Sequence, residues 1–153
     1  MTSLKRIYRA IPWMEGEEEF YRQKLIGRTL HVCCGTSKLG DVRVDISVDY
    51  RPHVVATLRR LPFKDKSFDT VIADPPWINQ YYLWLAEELP RVARRRIIVV
   101  TNHFWYEPRR TKHRGWYLEG IYIIKGVSPV VKLAFVWDYK APTLSPYLFK
   151  RVR

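Results

Sequence analysis

Five short apolar segments recur along the chain, and they restrict the possible fold more than any other feature of the sequence. Each has the length of a strand, and together they lack the strict alternation of apolar and polar residues. Strands of this kind are typical of a sheet that is covered on both faces, which favours a mostly parallel α/β sheet. The segments are Thr29–Cys33, Val42–Ile46, Val54–Thr57, Asp69–Ala73 and Ile97–Thr101.

Two helices are predicted beside these strands. Residues 15–26 carry acids in the first turns and bases in the last, as the helix dipole favours, and Gly27 follows as a stop signal. A second, amphipathic helix is predicted from Tyr82 onward, with a kink or an early end at Pro90. The three consecutive arginines at 94–96 are interpreted as the end of this helix, where they complement its dipole.

The C-terminal part of the chain predicts an antiparallel hairpin. Residues 116–125 and 131–140 are rich in β-branched and aromatic residues, and residues 126–129 between them have turn composition. The fold predicted from these patterns is a doubly wound, mostly parallel α/β sheet that the hairpin closes. We expect a single domain made of an N-terminal arm and helix, a core, a basic aromatic loop, and the hairpin with its tail: 1–26, 27–102, 103–117 and 118–153.

Length and charge indicate the class of protein. The chain has 153 residues, enough for one domain with a real core, and it has neither a membrane-spanning apolar run nor a secretory signal, so we place it in the cytoplasm. The net charge of +12 favours a polyanionic partner, and nucleic acid is the usual one. The alternative is a heat-adapted surface with additional lysine and arginine, to which the scarcity of Asn and Gln also points.

The two cysteines predict neither a disulfide nor a metal site. Cys33 and Cys34 are adjacent, so a conventional bridge between them is geometrically implausible. No other cysteine and no pair of histidines has the spacing of zinc ligands. We therefore expect no metal.

A turn of small residues follows the first predicted strand. Gly35 permits a tight turn and the close approach of a ligand to the backbone. Asp45 ends the next strand, where a carboxylate can accept hydrogen bonds from both hydroxyls of a ribose, with Asp49 as the second choice. Asp45 lies ten positions after Gly35, whereas about 20 is usual for a dinucleotide site. The connection therefore has room for a turn of helix at most. The alternative interpretation is a plain strand connection with a solvated Asp45.

The fourth apolar segment ends on an unusual stretch, Asp74-Pro75-Pro76-Trp77. An exocyclic amino nitrogen is a poor nucleophile because its lone pair is delocalised. The Asp74 carboxylate and the Pro75 carbonyl can accept its two N–H bonds, and the prolines hold these acceptors in place. Trp77 offers a flat face on which a flipped-out base can stack, a contact worth about 1–3 kcal/mol per base. The alternative is a rigid turn with Trp77 packed in the core.

Two stretches resemble the class I S-adenosylmethionine-dependent methyltransferases. Residues 30–40, LHVCCGTSKLG, are similar to that family's cofactor loop, and residues 61–77 are similar to the approach to its fourth strand. The ending of the second stretch resembles the motif of amino-group methyltransferases of the N6-adenine type. The resemblance implies a Rossmann-like fold and S-adenosylmethionine as cofactor. It implies cofactor contacts from Cys33, Cys34, Gly35, Ser37 and Asp45, and catalytic roles for Asp74, Pro75 and Trp77.

The stretches also depart from the family pattern. His31 stands where the family usually has an acid, and Cys33 and Ser37 replace two glycines of the loop. Thr57 takes the position of an acid that often contacts the adenine amino group. The first and fourth strands are neighbours at the switch in strand order of a doubly wound sheet, and ligands bind there. We therefore expect Gly35 and Asp74 to face each other across one crevice.

Residues 103–117 interleave aromatic and basic side chains. Rings that stack on bases and cations that follow phosphates are what single-stranded or flipped nucleic acid requires. The alternative is a surface loop whose rings plug the edge of the core, and we expect a mixture of the two. His103 and His113 lack a catalytic partner in the sequence. The cations assigned to nucleic-acid binding are Arg109, Arg110, Lys112 and Arg114.

The function predicted from the sequence is methyl transfer from S-adenosylmethionine to an amino group of a nucleic-acid base, with adenine favoured over cytosine. One rival is methylation of a protein glutamine or a small molecule. Another is a nucleic-acid-binding protein that kept the fold without the activity. No separate target-recognition region is evident, so we expect DNA or RNA specificity to be low or to come from a homodimer or a separate partner. Trp13 is interpreted as a lid over the cofactor pocket or as a packing residue.

Overall fold

A seven-stranded mixed sheet forms the centre of the protein. The structure is a computed structural model that describes residues 13–102, 105–124 and 132–140. The strand order is β3-β2-β1-β4-β5-β7-β6, in which β1 to β5 are parallel and β7 is antiparallel to both β5 and β6. The elements are α1 Glu17–Lys24, β1 Thr29–Val32, β2 Val42–Asp45, a 3₁₀ turn Val48–Tyr50, β3 Val54–Val55, β4 Phe68–Ala73, α2 Asn79–Val92, β5 Ala93–Thr101, β6 Trp116–Ile124 and β7 Lys132–Tyr139.

The predicted fold class is confirmed. The parallel strands, the switch in order between β1 and β4 and the C-terminal antiparallel hairpin are all present. The connection from β1 to β2 is abbreviated as expected, and residues 33–41 contain no helix. The predicted hairpin turn at 126–129 lies outside the described residues. Within the described part of the chain, no helix has the length and apolar character needed to cross a bilayer.

Helices cover both faces of the sheet, which explains why the strands lack strict alternation. On one face, α2 packs Leu85 and Leu89 against β1, β4 and β5. On the other face, α1 contributes Tyr21 to a second cluster with Ile72 and Ile98. Neighbouring residues of β4 and β5 therefore point into different cores, and both must be apolar.

The assignment of the arginines at 94–96 to a helix end was wrong. The helix ends at Val92, and β5 begins at once with Ala93, so these arginines lie in a strand. Arg94 and Arg95 are exposed there, whereas Arg96 is mostly buried and binds both carboxylate oxygens of Asp138 on β7, at 2.7 and 2.9 Å. For Arg96, this pairing across two antiparallel strands takes the place of the expected interaction with the helix dipole.

Pro90 leaves a helix carbonyl unpaired within α2, and the loop after β5 binds to it. Proline has no N–H, so the carbonyl of Ala86, four residues earlier, receives no intrahelical hydrogen bond from it. The backbone N–H of Arg109 donates to that carbonyl at 2.8 Å, and the Tyr106 hydroxyl donates to the neighbouring Leu85 carbonyl at 3.1 Å. The break in the helix ladder thus anchors the basic loop along α2.

Candidate active site

The turn after β1 and the turn after β4 adjoin at the carboxyl edge of the sheet. Val32 is paired with Ala73 in parallel register, so Cys33 and Asp74 are the first residues beyond two neighbouring strands. The Asp74 N–H continues the ladder by donating to the Val32 carbonyl at 3.3 Å. The prediction that the Gly35 turn and the Asp74 stretch share one crevice is confirmed, since both line the same cavity.

This cavity has a volume of about 980 Å³, at the upper end of the range usual for small-molecule and cofactor sites. Its walls come from the turn after β1, the end of β2, the 3₁₀ turn, the segment after β3, the Asp74 stretch, the first turns of α2, the start of α1 with the residues before it, and the start of β7. They are Trp13, Met14, Glu18, Cys33, Cys34, Gly35, Thr36, Ser37, Lys38, Asp45, Ile46, Tyr50, Ala56, Thr57, Leu58, Asp74, Pro75, Pro76, Trp77, Ile78, Tyr81, Trp84 and Lys132.

Asp45 joins the first turn to the end of β2. Its side chain is buried, and its two carboxylate oxygens accept the backbone N–H groups of Gly35 at 2.9 Å and of Ser47 at 3.0 Å. A carboxylate has about four lone-pair sites, so it retains capacity for further donors on the cavity side. Asp49, the second choice for this role, is exposed in the 3₁₀ turn and does not line the cavity.

The backbone of this turn keeps a conformation that glycine adopts most easily. Gly35 has φ of 51° and Cys33 has φ of 57°. A left-handed residue with a side chain costs roughly 1–2 kcal/mol, so Cys33 holds a strained conformation where the similar family has glycine. Burial raises the pKa of the Cys33 thiol well above its usual range, and the carboxylates of Asp45 and Asp74 raise it further. The Cys33 thiol is therefore protonated and neutral where it lines the cavity.

Asp74 is a carboxylate in a mostly apolar setting. Its Oδ2 accepts a hydrogen bond from the Trp13 indole Nε1–H at 2.6 Å. Burial raises the pKa of Asp74 to about 6, while the hydrogen bond from Trp13 and the charge of Lys132 lower it, and Glu17 raises it. The group is thus mainly ionised at neutral pH but gains a proton under mildly acidic conditions.

The prolines and Trp77 form the turn between β4 and α2. Pro75 is buried, and the Pro76 carbonyl accepts the N–H of Ile78 at 2.7 Å, just before α2 begins at Asn79. Trp77 is partly buried against the core on the α2 side and also borders the cavity. The ring is therefore neither sealed in the interior nor free in solvent, and its stacking role stays a prediction.

His31 occupies the position where the similar family usually has an acid. It is fully buried on the α1 side of β1, and burial lowers its pKa to about 4, so the ring is neutral at physiological pH. Its Nδ1 lies 3.0 Å from the Leu39 carbonyl, which assigns the proton to that nitrogen. The ring stacks on Trp13, with centroids 5.3 Å apart and an interplanar angle of 21°.

Sequence reasoning missed a buried ion pair beside the cavity. The Lys132 Nζ lies 3.0 and 3.2 Å from the two carboxylate oxygens of Glu17, which also accept the Tyr21 hydroxyl at 2.8 Å and the Met14 N–H at 2.9 Å. Tyr81 and Trp84 on α2 were missed as cavity residues as well. A lysine that opens an otherwise apolar strand was the one local signal for the ion pair, because buried lysines are rare unless paired.

The cations predicted to bind nucleic acid do not line the cavity. Arg109 and Lys112 form ion pairs with Glu87 on α2, at 2.7 and 3.5 Å, and Arg110 pairs with Glu107. Arg114 is exposed. The expected mixture of outward cations and inward rings is confirmed for the described part of the loop, where Tyr106 and Trp116 are buried and Trp105 is exposed.

The strand order and the cavity at the strand ends define the Rossmann-like fold of class I methyltransferases. The chain is similar to an S-adenosylmethionine-dependent methyltransferase from Methanosarcina mazei, with 10% identity over 84% of this chain and 99% of that chain and a TM-score of 0.59. It is similar to magnesium protoporphyrin IX methyltransferase from Synechocystis with bound S-adenosylmethionine, with 12% identity over 91% and 90% and a TM-score of 0.56.

A third similar structure is the PH0226 protein from Pyrococcus horikoshii, with 16% identity over 80% of this chain and 86% of that chain and a TM-score of 0.56. Comparison of the sequence with protein-family models and with curated proteins finds no match. At these identities the likeness is one of fold. Across the described segments, no cluster of His, Cys, Asp or Glu has the three members that would hold a metal ion.

Substitution of Asp74 by asparagine is expected to stabilise the protein at neutral and alkaline pH. Because the pKa of Asp74 is raised in the folded state, the wild type loses stability as the pH rises from about 4 through about 6, and the variant does not. Above pH 7 we expect a gain of about 1–3 kcal/mol in the free energy of unfolding, which disappears below pH 4. Urea titrations across this range measure it, with the exposed Asp49→Asn as control. A pH-independent difference would contradict the prediction.

Proposed function

We propose that this protein is an S-adenosylmethionine-dependent N-methyltransferase that acts on an exocyclic amino group of a nucleic-acid base, with adenine as the favoured base. One observation carries the proposal: the turn of Cys33 to Ser37 and the carboxylate–proline stretch at 74–76 border a single cavity. The volume of that cavity is compatible with a cofactor together with a flat acceptor.

The residues on the β2 side fit the cofactor. The Asp45 carboxylate accepts two backbone N–H groups and retains lone pairs that can accept hydrogen bonds from ribose hydroxyls. Ile46, the next residue, lines the cavity although 73% of it is exposed, so it offers an apolar surface that an adenine ring would cover. Thr57 lines the same part. When bound, S-adenosylmethionine supplies a methyl group on a sulfonium centre, which is open to in-line attack.

The residues on the β4 side fit an amino group. The Asp74 carboxylate and the Pro75 carbonyl accept its N–H bonds, which returns electron density to the nitrogen lone pair. Both acceptors are held by the rigid turn, so little reorganisation is needed when charge develops. The indole of Trp77 borders the cavity and offers a face on which the base stacks. The new N–C bond would form as the C–S bond of the sulfonium breaks and the thioether leaves, and the nitrogen would lose its surplus proton to the Asp74 carboxylate. Catalysis then rests mainly on positioning of the nitrogen.

The net charge of +12 supports nucleic acid as the acceptor. A specific observation favours the second candidate, a small molecule or a protein glutamine. The loop cations lie along α2 and are largely paired with acids, and the cavity itself is lined by three acids, Glu18, Asp45 and Asp74, and two lysines, Lys38 and Lys132. Nucleic acid therefore has to reach the cavity through other surfaces of the protein.

Two measurements test the proposal. Calorimetric titration with S-adenosylmethionine is expected to show binding, and Asp45→Asn is expected to weaken it about ten- to 100-fold, the effect of losing one or two hydrogen bonds to a charged group. Methyl transfer is then followed from labelled cofactor to RNA, single-stranded DNA, free adenosine and a glutamine peptide. Transfer to either nucleic acid supports the proposal, transfer only to adenosine or the peptide selects the second candidate, and absence of cofactor binding rejects both.

A further inference from the structure

The indole of Trp13 takes up one oxygen of the Asp74 carboxylate. Trp13 Nε1–H donates to Oδ2 at 2.6 Å, across 61 residues of sequence, and both residues border the cavity. An acceptor amine therefore meets a carboxylate whose Oδ2 already accepts one hydrogen bond, and Oδ1 has the larger remaining capacity for it.

Trp13 is itself held on two sides. Its ring stacks on His31 with centroids 5.3 Å apart, and it meets the edge of Tyr21 at 4.8 Å and 60°. His31 is buried and neutral, so the stack is an apolar support rather than a charge contact. The indole N–H is thus aimed at Asp74 by rings from β1 and α1.

The chain around Trp13 is fixed by the buried ion pair. Glu17 accepts the N–H of Met14, the residue after Trp13, and its carboxylate is in turn bound by Lys132 at 3.0 Å. The pair is almost completely buried, with side-chain exposures of 0% for Glu17 and 6% for Lys132. An unbroken set of contacts therefore runs from β7 through the start of α1 to the carboxylate at the end of β4.

We propose that Trp13 is a positioning residue of the methyl-transfer site: its indole N–H holds Oδ2 of Asp74 and directs Oδ1 towards the acceptor amine. The inference rests on the proposed function. It predicts that the acceptor donates one N–H to Oδ1 and the other to the Pro75 carbonyl, so the acceptor is a primary amino group.

The pH dependence follows from the groups around Asp74. Burial raises its pKa to about 6, whereas the hydrogen bond from Trp13 and the positive charge of Lys132 lower it. Loss of the Trp13 N–H therefore moves the pKa of Asp74 upward, and the protonated form, in which one oxygen is a hydroxyl donor and a weaker acceptor, persists to higher pH. Among the described residues, the other titratable groups that interact with Asp74 are Glu17 and Tyr21 from α1, Cys33 from the turn after β1 and Tyr82 from α2.

The test removes the N–H and leaves the ring. Trp13→Phe deletes the donor. In a second variant, 3-benzothienylalanine at position 13 replaces the N–H by sulfur and retains the stacking surface, so the test can still be made if the phenylalanine variant folds poorly. In both variants the acid limb of the pH profile of kcat is expected to move up by about 1 to 2 on the pH scale, the effect of losing one hydrogen bond to a charged group. The KM for S-adenosylmethionine is expected to stay within twofold.

A second readout needs no activity. The carboxyl carbon of Asp74, assigned by its absence from the NMR spectrum of Asp74→Asn, should titrate near pH 6 in the wild type and at higher pH in both Trp13 variants. Tyr139→Phe, which changes a half-exposed ring at the end of β7 opposite Lys132 and outside the cavity, should leave profile and titration unchanged. A titration of the Asp74 carboxyl group that is unchanged in the Trp13 variants overturns the inference. A Trp13 variant with a raised kcat/KM and an unchanged acid limb overturns it as well, and indicates that Trp13 is a lid over the cavity. Failure of the proposed function is recognised separately, as absence of methyl transfer in the wild type.

Discussion

Replacement of Asp74 by alanine is expected to lower the rate of methyl transfer about 100- to 1,000-fold, the effect of removing one preorganised group that stabilises developing charge. The side chain lies at the end of β4, and its backbone N–H is held by the Val32 carbonyl, so the truncation deletes an acceptor without moving the turn. Affinity for S-adenosylmethionine is expected to stay within about threefold, because Asp45 on β2 is untouched. Single-turnover transfer from labelled cofactor and calorimetry separate the two effects.

Asp49→Ala is the matched control, since it removes an exposed carboxylate outside the cavity. Its rate and its cofactor affinity should both equal those of the wild type. Transfer by the Asp74→Ala variant at the full rate would remove Asp74 from the mechanism. A parallel fall of rate and cofactor affinity would show instead that the carboxylate maintains the shape of the cavity.

Replacement of Lys132 by methionine is expected to lower the free energy of unfolding by about 3–5 kcal/mol, because it leaves the carboxylate of Glu17 buried without its cation. Methionine retains most of the length of the aliphatic stem, so lost packing contributes little. The two side chains are almost completely buried and come from α1 and β7, so the loss also loosens the support of Trp13. Urea-induced unfolding followed by circular dichroism measures the change.

The double variant Glu17→Gln/Lys132→Met should recover most of that stability, since neither charge then remains buried. Arg22→Met serves as the surface control: its ion pairs with Glu18 and Glu19 are exposed, and its removal should cost less than about 1 kcal/mol. A loss from Lys132→Met as small as that from Arg22→Met would mean that water reaches Glu17 and compensates for the missing cation.

The sheet was predictable because its signals are local. The runs of β1, β4 and most of β5 are fixed by burial on two faces, and all five parallel strands were found within a few residues of their expected positions. The arginines at 94–96 were misplaced, because nothing in their immediate neighbourhood distinguishes the end of a helix from the start of a strand. Arg96 is satisfied by Asp138, 42 residues away in the hairpin, a partner that local patterns do not reveal.

The sequence by itself determined the two turns of the candidate site and their meeting, because a parallel sheet brings the residues after neighbouring strands to one edge. Only the tertiary structure decided what surrounds Asp74. Trp13 is 61 residues from it, and Lys132 is 115 residues from Glu17, so these contacts depend on how the first helix and the hairpin pack on the sheet. The position of the basic loop was decided in the same way, by the carbonyl that Pro90 leaves open and that Arg109 satisfies. Polar groups that become buried must be paired, and their spacing along the chain does not reveal which of them meet in the folded protein.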